Sequence, residues 1–372
     1  MKSEWKKVTL GDLISVSQGY TFKPEFQGVQ GEKWQYFKVA DIGLSSNKKY
    51  LITALNSISE EIKQFLKIKE FPAGSIAFPR VGAALLNNNK KILFQDSIVD
   101  DNTIVITPHT ATINNEFLYY WFLTKQLKDF CNDGPVPVIS SKNIKSSKIL
   151  LPPILEQEKI AKTLSVWDSA IEKIEKLIFD KERMFSFLMK KILSKKENTC
   201  YLNKIVTIKK GNQLNKENMI SNGTVPVLNG GIFYSGFTNF ANTQKNTIAI
   251  SEGGNSCGYV NFVSEDFWAG GHCYTLELKN KDVETKFLYW MLKSKEKEIM
   301  KLRVGSGLPN IQQNDLCNLK IEIYNKNDQL KIIELLDCQQ REISLLKKQL
   351  EQYKLQKQGL MQKLLTGEWR IK

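Results

Sequence analysis

Apolar residues recur at Ile160, Leu164, Trp167, Ile171, Ile174 and Ile178, lapse at Lys181, and resume at Phe185, Leu188 and Ile192. The steps alternate four and three, the 3.5-residue period of a coiled-coil seam. Pro152 and Pro153 precede the run, where proline lets a chain begin a helix but not extend it backwards. Glu156 and Glu158 lie in the first turns and Lys190, Lys191, Lys195 and Lys196 at the far end, complementing the helix dipole. The pattern predicts a helix of about 39 residues, roughly 58 Å long at about 1.5 Å per residue. That is longer than a small domain is wide, so it needs a partner along its length.

The partner is in the same chain. Adding 172 to each seam position gives Ile332, Leu336, Gln339, Ile343, Leu346, Leu350, Tyr353, Lys357, Leu360 and Leu364. Identities extend beyond the seam, as in Gln157 and Gln329, Lys176 and Lys348, and Met189 and Met361. Two copies in one register imply an internal duplication. An antiparallel pair follows most simply, with facing positions summing to 524, so that Ile160 meets Leu364 and Leu188 meets Leu336. The polar interruptions then lie opposite larger apolar groups: Gln339 opposite Phe185, Lys357 opposite Trp167 and Lys181 opposite Ile343. An aromatic ring can cover the stem of a long polar side chain.

The remaining sequence repeats as well. Residues 1–153 carry strand patterns at Trp34–Ile42, Ser75–Phe78, Asn102–Thr107 and Lys148–Leu151, a polar loop at Asn87–Lys91, and an aromatic helix from Asn115 to Phe130. Ile205–Gly211 matches Leu13–Gly19 at a displacement of 192, and Thr247–Ser251 matches Ser75–Pro79 at 172. Phe287–Trp290 matches Phe117–Tyr120 at 170, and Asn310–Leu316 matches Val138–Ile144 at 172. The chain therefore reads as an α+β protein. Two pseudo-twofold-related mixed α/β domains, 1–153 and 199–326, are separated by an antiparallel pair of long coiled-coil helices, 154–196 and 327–366, with a tail at 367–372. The first boundary is Lys195–Thr199. The scaffold segments agree between the halves while the loops diverge, which is how binding specificity is usually varied.

Composition narrows the class. The net charge is +14, from 53 Lys and Arg against 39 Asp and Glu, which points to a polyanionic partner. The excess is shared, with 19 bases and 14 acids in residues 1–153 and 15 and 11 in residues 199–326. No apolar run reaches the ~18 residues of a membrane span. The six cysteines show no paired metal-ligand spacing and, with no secretion signal at the start, read as reduced thiols in a cytoplasmic protein.

Catalytic signals are missing. There is no phosphate-binding G-x-x-x-x-G-K-[ST] loop. The Gly-Gly pairs at 230–231, 253–254 and 270–271 lack a dinucleotide fingerprint and read as turns. His109 and His272 are the only histidines; His272 reads as a strand residue equivalent to Asn102 or Thr103 rather than a metal ligand. Asp282–Lys286 reads as a helix start. Candidate DNA contacts are polar loop residues near the scaffold landmarks: Tyr20, Lys23, Lys38, Arg80, Asn87, Asn88, Lys90, Lys91 and Lys142 in the first domain, and Lys209, Lys210, Asn212, Gln213, Asn229, Asn255, Arg303, Gln312 and Gln313 in the second. Arg suits guanine and Asn or Gln suits adenine in the major groove, whereas most lysines meet phosphates. Two heads on a rod of this length suit half-sites about 34–36 Å apart on duplex DNA.

The whole chain resembles the specificity subunit of type I restriction-modification enzymes. The resemblance rests on the duplicated plan, the helix start Pro152-Pro-Ile-Leu-Glu-Gln-Glu-Lys-Ile160 and the ending Leu360-Met-Gln-Lys-Leu-Leu-Thr-Gly-Glu-Trp-Arg-Ile371. The second helix start, Tyr324-Asn-Lys-Asn-Asp-Gln329, departs from the proline form. The resemblance implies two target-recognition domains, each reading half of a split double-stranded DNA sequence. It implies helices that space the domains and dock two methyltransferase subunits, with endonuclease/translocase subunits joining them. This chain would bind no cofactor; S-adenosylmethionine, ATP and Mg2+ would belong to the partner subunits. The competing readings are a self-contained methyltransferase or nuclease, against which the missing motifs argue, and a plain coiled-coil scaffold, for which two elaborate basic domains would be superfluous.

Overall fold

A computed structural model describes residues 5–134, 136–194, 198–305, 307 and 309–371. Of the boundary read at Lys195–Thr199, residues 195–197 lie outside the described residues, as do residues 1–4, Pro135 of the predicted loop and the last residue of the tail. The chain divides into two compact units, one comprising residues up to Lys173 together with Leu350 onward, the other Ile174–Gln349.

In the first unit, five strands run in the order Ile14–Gln18, Thr103–Pro108, Ile76–Pro79, Lys91–Leu93 and Tyr50–Leu51. The pairing is antiparallel until the last strand, which lies parallel to its neighbour. A second sheet pairs Trp34–Phe37 antiparallel with Ser57–Ile58 and parallel with Ile98–Val99. The alternating apolar residues Ile14, Ile76, Phe78, Ile104 and Ile106 pack against Phe117, Leu118 and Tyr120 of the helix Asn115–Leu123. That helix starts where Asn114 Oδ1 accepts the Phe117 amide at 2.9 Å, an N-cap. A ribbon of Lys6–Thr9 and Lys148–Leu151 closes the unit at the foot of the first long helix.

The second unit builds the same scaffold from different sequence. Val206–Lys210, Cys273–Leu278, Thr247–Ser251 and Val260–Val263 form an antiparallel sheet in that order. Val225–Leu228 pairs antiparallel with Gly236–Thr238 and parallel with Trp268–Ala269. The helix Thr285–Ser294 covers the sheet, and Thr199–Tyr201 pairs with Lys320–Glu322. One glycine position explains part of the repeated sequence. A Cβ at Gly19 would sit 2.1 Å from the Asp100 carbonyl oxygen, and one at Gly211 would sit 2.3 Å from that of Gly270. Both places need a bare backbone where two segments touch.

The long helices span Ile154–Ile192, 39 residues, and Lys326–Leu365, 40 residues. The second starts without prolines because Asn325 caps it: its Oδ1 accepts the Asp328 amide at 2.9 Å, and its Nδ2 donates to Asp328 Oδ2 at 2.9 Å. All the apolar seam residues are buried or half-buried. In the first unit Ile160 and Leu164 share a core with Leu360 and Leu364, and Trp167 meets Tyr353 edge-on at 5.6 Å. In the second, Phe185 and Ile192 pack with Ile332 and Leu336.

The polar seam positions are managed differently from the expected aromatic cover. Lys357 reaches Asp168, one residue beyond Trp167, and forms an ion pair. Lys181 pairs with Glu342 at 2.7 Å, beside the buried Ile343. Phe185 turns to the ring of Trp290 at 5.6 Å. Gln339 keeps a buried Oε1 with no partner among the described residues. Two other expectations are corrected. The strand from Trp34 ends at Phe37, because Asp41 Oδ2 accepts the Lys38 amide at 2.7 Å and starts the helical turn Val39–Ile42. The aromatic helix stops at Leu123, and Leu127–Phe130 is a separate 3-10 turn.

Candidate nucleic-acid interface

In the second unit the sheet ends carry the polar residues. Lys209, Lys210 and Asn212 line a groove of about 520 Å³ with Asn242, Thr243 and Gln244. The side chain of Lys209 pairs with Glu277 at 2.6 Å. A neighbouring cleft of about 480 Å³ is bounded by Lys210, Asn229, Glu252, Ser256, His272 and Asn310. Two of the Gly-Gly pairs, 230–231 and 253–254, supply its backbone walls. His272 is exposed at the rim, just before the strand that begins at Cys273, rather than within it. Its amide donates to Asn229 Oδ1 at 3.4 Å.

Glu252 lines this cleft and as a residue is only 8% exposed. Its Oε1 accepts from Lys210 Nζ at 2.6 Å and from Tyr274 Oη at 3.1 Å. Burial, with Glu252 alongside, pushes the Tyr274 hydroxyl up to about 12, so it stays a donor. Burial pushes the Cys273 thiol to about 12 and raises that of Cys257, which makes both unreactive thiols. The other candidates are spread around the same end. Asn255 is exposed next to Gly254, and Arg303 is exposed on a loop. Gln312 Nε2 donates to Asn310 Oδ1 at 3.1 Å, Gln313 Nε2 donates to the Ile208 carbonyl at 3.1 Å, and Gln213 sits against Gly271. The amide of Gln313 is thus committed to the scaffold.

The family model for the type I restriction modification DNA specificity domain matches residues 2–178 and 195–354. The chain belongs to that specificity family. A candidate type I specificity subunit of Mycoplasma pneumoniae is 39% identical over 137 residues, 36% of each chain. The alignment thus spans about a third of that relative's length. The Methanocaldococcus jannaschii type I restriction enzyme MjaVIII specificity subunit is 24% identical over 329 residues, covering 77% of each. The crystal structure of the type I restriction-modification system S subunit from M. genitalium superposes with a TM-score of 0.66 at 20% identity, covering 98% of this chain and 97% of that one. That last likeness is one of fold: mixed α/β domains with a long helix between them. A specificity subunit is a recognition component and is non-catalytic. Among the described residues no cluster of three or more His, Cys, Asp or Glu could hold a metal ion, and no helix is long and apolar enough to cross a membrane.

In the first unit of the specificity subunit the candidates separate into two kinds. Tyr20, Lys38 and Arg80 lie just past strand ends, Asn87 caps the short helix Ala83–Leu86, and Lys23, before a 3-10 turn, and Lys142, in the helix Ser141–Ser146, are exposed. Lys38 Nζ donates to Gln27 Oε1 at 2.9 Å, and Arg80 Nε donates to the Asp101 carbonyl at 3.2 Å. Asn88 and Lys90 belong to the scaffold instead, which corrects the reading of Lys90 as a DNA-facing lysine. Lys90 is 2% exposed, and its Nζ donates to the Asn88 and Lys125 carbonyls and to Asn88 Oδ1. Burial pushes its pKa down to about 8. Asn88 Oδ1 also accepts the Leu127 amide at 2.8 Å. Lys91 Nζ donates to the Lys48 carbonyl. Glu252 is not among the candidates read from the sequence, although the repeat displacement of 172 relates it to Arg80.

Proposed function

We propose that this specificity subunit reads a bipartite double-stranded DNA sequence, one half with the domain at 1–153 and the other with the domain at 199–326. The helical segments 154–196 and 327–366 act as spacer and dock methyltransferase subunits, two per complex, and endonuclease/translocase subunits join through these. S-adenosylmethionine, ATP and Mg2+ serve the partners, and the complex works in the cytoplasm. The carrying observation is that one sheet scaffold occurs twice with different loops at its ends, so the chain can present two different reading surfaces. The charge of +14 supplies the sequence-independent attraction to phosphates.

Coexpression of the full chain with its methyltransferase subunits, followed by methylation-aware sequencing, tests the reading. The expected result is one split motif. Exchanging residues 1–153 for those of a relative should change one half-site and leave the other. Methylation or cleavage by the purified chain alone would instead make it a self-contained enzyme.

A further inference from the structure

Arg80 and Glu252 occupy one position of the repeated scaffold. Each follows the last residue of a central strand, Ile76–Pro79 in one unit and Thr247–Ser251 in the other. The Arg80 amide donates to the Asn102 carbonyl at 2.7 Å, and the Glu252 amide donates to the equivalent His272 carbonyl at 2.9 Å. The Arg80 carbonyl accepts from the Ile139 amide at 3.0 Å, and that of Glu252 from Ile311 at 2.8 Å. The next residues make matching bridges, Val81 with Val138 and Gly253 with Asn310. The backbone is therefore held in the same way in both units, while the side chain changes from a cation to an anion.

A buried carboxylate at a basic, polar end of the sheet needs a reason, since it repels phosphates and loses hydration. Lys210 and Tyr274 hold Oε1. Oε2 makes no hydrogen bond among the described residues; its neighbour is His272 Nδ1 at 3.8 Å. It borders the open cleft. An acceptor held in place, with one oxygen unused and bare glycine backbone on both sides, fits a planar group that offers an amino hydrogen. In the major groove such a group is the N4 amine of cytosine or the N6 amine of adenine, whereas guanine offers two acceptors to an arginine.

Building on the reading of this chain as a DNA specificity subunit, we propose that Glu252 is the specificity-determining residue of the second unit. It accepts a hydrogen bond from the amino group of one base, at the scaffold position that carries Arg80 in the first unit. The repeated position is then a reader whose polarity decides whether the base must present a donor or an acceptor.

The test uses the full chain coexpressed with its methyltransferase subunits and compares methylated motifs. In Glu252→Gln the amide oxygen can keep Lys210 and Tyr274, which turns the NH2 toward the cleft. Methylation at the parent motif should fall about tenfold or more, at one base of one half-site, with preference moving from an amino-bearing base toward guanine or thymine. The other half-site should not change. A second variant guards against a folding defect. A Cβ at Gly253 would meet only the Pro309 carbonyl at 3.6 Å and His272 Nδ1 at 3.9 Å, ordinary contacts that leave the fold intact but narrow the cleft. Gly253→Ala should weaken methylation through the same half-site. Parental motif and efficiency in Gly253→Ala, or in a soluble Glu252→Gln, would overturn the proposal. A parent complex that methylates no defined motif would instead overturn the reading on which it rests.

Discussion

Gln157 and Gln329 make the same three hydrogen bonds in the two halves of the chain. Both side chains are fully buried. Gln157 Oε1 accepts from the Asn114 amide at 2.8 Å, and its Nε2 donates to the carbonyls of Pro152 at 2.8 Å and Thr112 at 3.3 Å. Gln329 accepts from the Glu284 amide at 2.8 Å and donates to the carbonyls of Tyr324 at 2.8 Å and Asp282 at 2.9 Å. Each glutamine therefore ties the first turn of a long helix to the segment that starts an aromatic helix. It satisfies backbone groups that neither helix can satisfy from within.

Replacing Gln157 with Leu keeps the volume but orphans one amide and two carbonyls in a dry site. At about 1–3 kcal/mol per buried unsatisfied group, the first unit should lose roughly 3 kcal/mol or more. Denaturant unfolding of Gln157→Leu and Gln329→Leu should show similar losses. A change below about 1 kcal/mol would mean that water takes over the three partners.

Leu164→Asp places an acid where Leu164 is 0% exposed, in the core shared with Leu360 and Leu364. A Leu truncation there already costs about 2–5 kcal/mol, and an unpaired buried charge costs more. The melting temperature should fall sharply and methylation should collapse. Parental melting with full activity would show that this contact does not organise the helices.

Arg80→Ala should relax one base position and cost about 1–3 kcal/mol at the parent site if the guanidinium reads guanine. A uniform loss over all sequences with a shallower salt dependence would make Arg80 a phosphate contact. The exposed Arg303 is open to the same binding titration.

Lys90 gives a pH signature. Burial lowers its pKa from the ordinary 10.5 to about 8, so between those values the unfolded chain holds a proton that the folded one has shed. Stability should therefore rise through that window relative to Lys90→Met, and the difference should be level below it. Paired melting curves from pH 7 to 10 read this directly. A difference that does not vary with pH would mean the ammonium stays charged in the fold.

The long helices were legible because a 3.5-residue period sustained over nine steps is the mark of a coiled-coil seam, and because the same period returns 172 residues later. The main strands were legible from alternation. The short parallel pairs, Phe37 with Val99 and Leu228 with Ala269, were not, since two residues carry no period. Lys90 misled for a similar reason: a lysine in the polar run Asn87–Lys91 looks solvated, and only the fold shows which carbonyls surround its ammonium. The pairing of Lys357 with Asp168 was one residue away from the expected contact, because a long side chain selects charge over the position directly opposite. At the candidate interface, residue type pointed to Arg80 but passed over Glu252, since an acid in a basic chain reads as surface until the repeat is laid on the structure.

The matching ladders also bear on inheritance. Ile76 pairs with Ile106 as Ile248 pairs with Leu276, so codons for the two central strands encode interchangeable pieces of backbone. Recombination within those codons, between the halves of one such gene or between two genes, would join strands already in register. The offspring protein would receive another loop and another charge after the strand with no new pairing to establish. On the function proposed above, one genetic event would thereby exchange a reading surface while the scaffold beneath it stays the same.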